Sequence, residues 1–499
     1  MTDKILINAV DTEECRIARV KDNRLCEFHL ETTSRVTTKS NIYKGLVARV
    51  EPSLQAVFVD YGEERHGFLQ KHDIHTDYFQ DSKVDGSIRD LIKPGQEMLV
   101  QVVKDPIMHK GAALTTFLSI PGRFCVLMPG SVTKGVSKQI EDEEERKRLK
   151  EIVSGLRVPE NFGVILRTAA KGAAKTVIAK DLSYLMRLWK TIKKEGMNQK
   201  APAAIHKERD FAVRAIRDYL TADIQEILID EPAVHQEVKD FVALVSPKHA
   251  KIVRLYQGAK PIFTKHELES QIESIFENRV QLPSGGSIVL TQTEALVSID
   301  VNSGKSRQKH SIEETALQTN LEAAEEIARQ LRLRDMGGLI VIDFIDMKPR
   351  KNNAAVERAL KAHVKEDKAR TDVGKISKFG LLEMSRQRLR QSIETSSMVT
   401  CGHCGGRGYV MATEKLGINV LRRLRLESLK HRGVAVTATV PAVVADYLLN
   451  KKRTELLELE ARRDLAITIT GDPAMHLGES DIRFEGKPNG SADGETDLS

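Results

Sequence analysis

Cysteine is scarce in this chain, five in 499 residues, and three of them, Cys15, Cys26 and Cys125, stand alone. That excludes the disulfide framework of a small secreted domain. No charged-then-apolar leader opens the chain at "MTDKILINAV", and no apolar run approaches the roughly 20 residues that span a bilayer. The expectation is a cytoplasmic protein with reduced thiols and no transmembrane segment. Charge of one sign is also lacking: 77 lysines and arginines against 70 acids leave a net +7, an excess that tolerates an anionic partner and by itself implies nothing stronger. Length is plentiful, several times that of an ordinary domain, so three or more compact units are expected.

The runs "KILINAV", "ECRIARV" and "RLCEFHLE" read as an antiparallel meander, with Asp22-Asn23 turning the second strand into the third. From "NIYKGLVARV" to "KPGQEMLVQVVKDP", β-rich segments broken by Gly and Pro suggest a small barrel such as the OB-fold. A charged helix is expected from Ile140 to Val153, then a strand and turn in "NFGVILRTAA", then a helix presenting Leu182, Leu185, Leu188 and Trp189 on one face. "KAPAAIHK" reads as a linker, and "DIQEILID", "AVHQEVKDFVALV" and "AKIVRLYQ" as strand, helix and strand. Two apolar strands, "ALVSIDVN" and "GLIVIDFIDM", flank a segment in which Leu317, Leu321, Ala324, Ala328 and Leu331 recur at helical spacing, with Gly337-Gly338 as its stop. The whole is an α/β multidomain chain. Its polar end, from Lys487, is expected to be disordered.

Both apolar strands run into an aspartate. Asp300 and Asn302 lie two apart, so on a strand their side chains leave the same face, at the end where active sites of open α/β sheets collect. Asp343 ends the second strand. Two neighbouring carboxylates repel, and a bound cation keeps both ionised. Mg²⁺ suits the pair, since it takes one or two carboxylates, keeps several waters and shares its other positions with phosphate. The plainer alternative is that each aspartate caps the loop or helix that follows it. Asp346 is a further acid nearby, as a ligand, a supporting group or a surface residue.

In "TCGHCGGRGY", Cys401 and Cys404 form a glycine-rich knuckle that suits zinc. Zinc wants four ligands, so either His403 and a distant group complete the site or a second copy of the chain does; the shared site is preferred. A redox dithiol is disfavoured because the motif lacks a thioredoxin-like βαβ context. Phe58, Tyr61 and Phe68, with Lys110, suit a surface that stacks single-stranded bases, although any one of these aromatics taken alone reads as core rather than platform. Basic residues cluster at Lys375, Lys378, Arg386, Arg388 and Arg390, and again in "LRRLRLESLKHRG", the latter equally a solvated helix face.

"FVDYGEERHGFL", "KGAALTTF", "GVILRTAA", "SIDVNSG", "GGLIVIDFIDM", "FGLLEMSRQR" and "TCGHCGGRG", in that order, make the chain resemble the catalytic half of the ribonuclease E/G family of endoribonucleases. The resemblance implies an RNase H-like subdomain in two parts, 1–37 and 213–276, interrupted by an S1 domain (an OB-fold) at 38–120 and a 5′-sensor at 121–212. It further implies a DNase I-like catalytic domain at 277–398, a zinc link at 399–412 and a small dimerisation domain at 413–486, leaving 487–499 as the tail. On the family's pattern Asp300 and Asp343 hold Mg²⁺, Asn302 supports the scissile phosphate, and Cys401 with Cys404 supply half of a Zn²⁺ site shared between subunits. Arg167 and Thr168, with Gly122 and Val126 nearby, form the pocket for a 5′-monophosphate, and Phe58, Phe68 and Lys110 hold RNA.

The implied activity is Mg²⁺-dependent cutting of single-stranded RNA in rRNA and tRNA processing and mRNA decay, leaving 5′-phosphate and 3′-hydroxyl ends. The implied assembly is a homodimer that pairs into a homotetramer. Because the chain stops about a hundred residues past the cysteine pair, a ribonuclease G-like enzyme is expected, without degradosome partners. The competing reading is a non-catalytic S1-type RNA-binding assembly protein.

Overall fold

The computed structural model describes residues 3–32, 38–80, 86–106, 110–140, 142–208, 210–221, 223–304, 312–390, 392–429 and 435–485, in two compact units that divide after Glu394. The expected disordered tail at 487–499 lies outside the described residues.

In the first unit the N-terminal meander is Asp3–Asn8, Glu14–Lys21 and Arg24–Thr32, and Asp22 and Asn23 both take positive φ in the turn between the last two. Its first strand pairs in parallel with Ile224–Ile229, which pairs in turn with Val253–Leu255, so one five-stranded sheet joins chain segments about 200 residues apart. Alternation along Ile5, Leu6 and Ile7 feeds two cores: Ile5 and Ile7 pack under the helices Phe211–Tyr219 and Pro232–Val245, and Leu6 packs with Phe263 and Leu268.

The interrupting chain builds a closed five-stranded barrel from Ile42–Glu51, Ala56–Asp60, Gly67–Gln70, Ala113–Thr115 and Glu97–Lys104, closed where Ile42–Leu46 pair with Gln101–Glu97. The expected linker "KAPAAIHK" is different: Ala203–His206 is a strand that pairs with Ile42–Lys44 and extends the barrel sheet. Isolated small residues carry no periodicity, so only the partner strand makes this segment extended. A four-stranded sheet follows the barrel, ordered Lys134–Val136, Phe162–Leu166, Cys125–Pro129, Ile120–Pro121, and packs on the helices Glu143–Ser154 and Lys175–Asn198 through Leu127, Leu149, Ile178, Leu182 and Leu185.

The last sheet of this unit has six strands, ordered Arg279–Gln281, Ser287–Gln292, Leu296–Asn302, Gly338–Asp343, Leu381–Arg386, Thr371–Ile376. Its two central strands are parallel and joined by the crossover helix Ile312–Leu333. That helix buries Ala324, Ala328 and Leu331 and half-buries Leu317 and Leu321, so its apolar stripe does face the sheet. The stop differs from expectation: the helix ends at Leu333, the left-handed residue behind it is Asp335, and Gly338 (φ 105°) instead opens the next strand.

The second unit holds the cysteine knuckle, the helix Thr413–Glu427, and a three-stranded sheet ordered Ala466–Asp472, Ala435–Pro441, Asp481–Glu485. Its first two strands are parallel, with helices Ala442–Lys451 and Arg453–Arg463 between them. No helix among the described residues is long and apolar enough to cross a membrane.

Candidate functional site

Asp300 and Asp343 are register partners on the two central parallel strands of the six-stranded sheet. Ile299, Val301, Ile340 and Ile342 point into the core under the helices, so period-two alternation sends both aspartates to the opposite face, where they are exposed. Asn302, two residues on, is half-buried, and its Nδ2 donates to Asp300 Oδ2 at 2.8 Å, fixing one carboxylate oxygen and leaving the other. The loop that carries Asp343 onward is clamped by Asn320 of the crossover helix. Wholly buried, Asn320 donates to Ile345 O at 2.8 Å and accepts from Ile345 N at 3.0 Å. Sequence reading missed Asn320, because one polar residue in a helical stripe carries no signal of its target. Asp346 is exposed and lies against Gly380, where a Cβ would meet its Oδ1 at 2.9 Å.

The donor set fits a hard cation. Two carboxylates on neighbouring strands suit an ion that takes one or two of them and keeps much of its water, as Mg²⁺ does; among the described residues no group of three or more His, Cys, Asp or Glu side chains converges on one point. The basic cluster behind the aspartates is largely structural. Arg386 is buried and grips Asp367 at 2.7 Å and Met336 O at 2.7 Å; Arg388 donates to Gly337 O at 2.9 Å and Arg390 to His29 Nδ1 at 3.0 Å. Lys375 and Lys378 remain exposed. In the second basic stretch Leu421 and Leu424 are buried while Arg422, Arg423 and Arg425 are exposed, the pattern of a solvated helix face, and residues 430–433 lie outside the described residues.

On the barrel Phe58 and Phe68 are register partners, half-buried, with ring centroids 5.7 Å apart and the Arg49 guanidinium 4.8 Å over Phe58. Val57, Val59 and Leu69 take the inward positions, so both phenylalanines stand on the outer face. Tyr61 does not join them: it is 2% exposed and packs edge-on against Tyr43 at 5.1 Å. Lys110 is exposed, and the next residue, Gly111, lies against His66 O at the start of the strand that carries Phe68.

Arg167, Thr168, Gly122 and Val126 come together at one end of the four-stranded sheet. Val126 pairs with Ile165, Arg167 N donates to Phe124 O at 2.8 Å, and the exposed Thr168 opens a 3₁₀ turn. The Asp181 carboxylate shapes the turn by accepting from the N–H groups of Arg123, Phe124 and Cys125 at 3.3, 2.8 and 3.1 Å. A Cβ on Gly122 would meet that carboxylate at 2.5 Å, so the position needs glycine. The arginine is not a bare fork. Its Nη1 donates to Gly122 O at 2.7 Å and its Nη2 to Asp218 Oδ1 at 2.6 Å. Burial raises the Asp218 carboxyl, but the Arg217 and Arg167 guanidiniums prevail and hold it at about 2. Asp218 also escaped sequence reading, since in "FAVRAIRDYL" it looks like a helix-surface charge.

In the second unit the knuckle forms as expected. Gly405 N closes on Cys401 O at 2.8 Å, Gly405, Gly406 and Gly408 take positive φ, and Gly408 N donates to Cys404 Sγ at 3.4 Å. These backbone donors, Gly408 foremost, hold the Cys404 thiol below its ordinary value. The His403 ring lies 5.6 Å from that of His476. A βαβ arrangement does exist downstream, contrary to expectation, but the cysteines precede it and lie in turns rather than at a strand-to-helix junction.

Residues 119–389 match the model of the Ribonuclease E/G family, and residues 400–485 match that of the RNase E/G thioredoxin-like domain. The chain belongs to the ribonuclease E/G family. It is 48% identical over 476 residues to "Ribonuclease E" of Haemophilus influenzae, covering 95% of this chain and 51% of that protein. To "Ribonuclease E" of Escherichia coli it is 47% identical over 466 residues, covering 92% and 44%. To "Ribonuclease G" of Escherichia coli it is 35% identical over 489 residues, covering 97% and 99%. The chain thus spans about half the length of these ribonuclease E relatives. Within the family match fall Asp300, Asn302, Asp343 and the whole Arg167 pocket, whereas the barrel aromatics precede it.

Proposed function

We propose that this chain is an endoribonuclease that cuts single-stranded RNA by Mg²⁺-dependent hydrolysis. The observation that carries the reading is the register pairing of Asp300 with Asp343 on an open sheet face in a ribonuclease E/G family chain. Asp300 and Asp343 would hold the ion, which when bound supplies Lewis-acid polarisation of the phosphoryl group and a water of lowered pKa. Asn302 fixes the Asp300 carboxylate and stands beside the scissile phosphate. The strand under each aspartate is paired on both sides and buried on its other face, so neither carboxylate has far to move as charge develops. Phe58 and Phe68 stack exposed bases while Lys110 meets the backbone, which restricts cutting to unpaired RNA.

Arg167 and Thr168, beside Gly122 and Val126, receive a 5′-monophosphate as a second foothold that raises the effective concentration of the cut site. Hydrolysis leaves 5′-phosphate and 3′-hydroxyl ends. Cys401 and Cys404 supply half of a Zn²⁺ site whose other half comes from a second copy, giving a homodimer and, by pairing, a tetramer. The setting is the cytoplasm, in rRNA and tRNA processing and mRNA decay. A Mg²⁺-dependence assay comparing 5′-monophosphorylated RNA, triphosphorylated RNA and matched single-stranded DNA tests the whole. Cleavage is expected in the order monophosphate, triphosphate, with DNA inert; metal-independent cutting, or none of any substrate, overturns it.

A further inference from the structure

The side chain that holds the Arg167 fork belongs to a residue that also grips the segment leading into the catalytic sheet. Asp218 sits near the end of the helix Phe211–Tyr219. Its carboxylate takes Arg167 Nη2 at 2.6 Å and Arg217 Nε at 3.2 Å, and its backbone carbonyl accepts from Lys368 Nζ at 2.9 Å. The same ammonium lies 2.8 Å from the centre of the Tyr219 ring. Lys368 is held at its other end as well, since its carbonyl accepts from Gln139 Nε2, beside the four-stranded sheet. The adjacent Asp367 grips Arg386 through both oxygens, at 2.7 and 3.2 Å. Arg386 ends the strand whose first residue, Leu381, is the register partner of Asp343.

We propose that Asp218 is the positioning residue of the 5′-end pocket: its carboxylate sets the Arg167 fork, and its carbonyl, through Lys368, anchors that pocket to the catalytic sheet. This rests on the 5′-end reading given above. A guanidinium on a free stem loses rotamer freedom when it closes on a phosphate. Held in advance by Asp218 and the Gly122 carbonyl, Arg167 has already lost it, so less is forfeited on binding. The anchor matters because the foothold gains effective concentration only if the distance from pocket to carboxylates is fixed. The contacts from Asp218 through Lys368, Asp367 and Arg386 fix it: Asp367 and Lys368 lie in the short connection between Arg350–Val364 and Thr371–Ile376, where their half-buried side chains are held at both ends of the path.

The test uses the full chain and two RNAs of one sequence, bearing a 5′-monophosphate or a 5′-hydroxyl. The readout is the ratio of their kcat/KM values on the same variant, so a general loss of folded enzyme cancels. Asp218→Asn is expected to lower the ratio about tenfold, in the direction of Arg167→Ala, as loss of an orienting partner does elsewhere. Lys368→Met is expected to lower the ratio through kcat, while the Kd for a 5′-monophosphorylated, fully 2′-O-methylated RNA moves by less than about twofold. Equal losses on both RNAs in Lys368→Met overturn the anchor. An unaltered ratio in Asp218→Asn, with Arg167→Ala collapsing it, overturns the positioning role and spares the 5′-end reading. An unaltered ratio in Arg167→Ala as well removes that reading and this inference together.

Discussion

Asp300 and Asp343 face each other across two parallel strands with no residue of offset, so one shift in the pairing of either strand would turn a carboxylate into the core. On the proposed reading the pair acts as a unit. Asp300→Asn and Asp343→Asn are each expected to cut kcat by about a thousandfold or more, and the double variant to be scarcely worse than either single one. RNA affinity, read by anisotropy on an uncleavable substrate, is expected to stay within about threefold, because the proposed binding surface lies on the barrel. Additive losses in the double variant would separate the two carboxylates and remove the shared ion.

The two outward phenylalanines and the inward tyrosine of the barrel make opposite predictions. Phe58→Ala or Phe68→Ala deletes a half-exposed ring, and single-stranded RNA affinity is expected to fall by about 1–3 kcal/mol with little change in thermal stability. Tyr61→Ala hollows the core next to Tyr43 and is expected to cost about 3–5 kcal/mol of stability. Paired titrations and melting curves on the three variants decide it; a destabilised Phe68→Ala that binds RNA normally would make that ring a core residue.

How much of this was legible in the letters follows from how local each signal is. The strands carrying Asp300 and Asp343 and the stripe of the crossover helix are periodic patterns within one element, and the structure repeats them. What escaped depends on a partner far along the chain. "AAIH" becomes a strand only beside Ile42–Lys44, and Arg386 looks like an RNA-binding charge until Asp367 and Asp335 are placed around it. Asn320 and Asp218 read as ordinary helix polar residues because their hydrogen bonds reach 25 and 51 positions away. The resemblance to the family supplied the pocket residues that local pattern could not, and Asp218 fell outside its motifs.

The knuckle makes a stoichiometric prediction. Two thiols per chain fill half of a tetrahedral zinc site, so a shared site holds about one zinc per two chains. Metal analysis of purified protein is expected to give that ratio, and Cys404→Ser or exhaustive chelation is expected to lower zinc content, assembly by sedimentation and activity together. One zinc per chain with unchanged assembly would place the missing ligands within the same chain, with His403 and His476 the nearest rings.

His29 gives the pH dependence of stability. Burial, then the neighbouring Arg390 and Lys368 cations, push its imidazole down to about 4 from an ordinary 6.5, while Glu27 opposes them. Arg390 donates to Nδ1 at 3.0 Å, which requires the neutral ring, and the ring stacks on Tyr219 at 4.6 Å. With the folded value depressed, the unfolded chain takes up a proton first as pH falls below 6.5, so stability present above that pH is lost progressively toward 4. The full loss from this group is about 3 kcal/mol. His29→Asn keeps an acceptor for Arg390 and removes the titration, so its melting temperature is expected to fall less than that of the parent between pH 7 and about 4.5. Burial raises the Glu27 carboxyl, but Lys368, His29 and Arg19 prevail and hold it at about 2, so it adds its own loss below 4.5. A parent and variant with parallel profiles across that range would mean that the imidazole is already protonated in the folded chain.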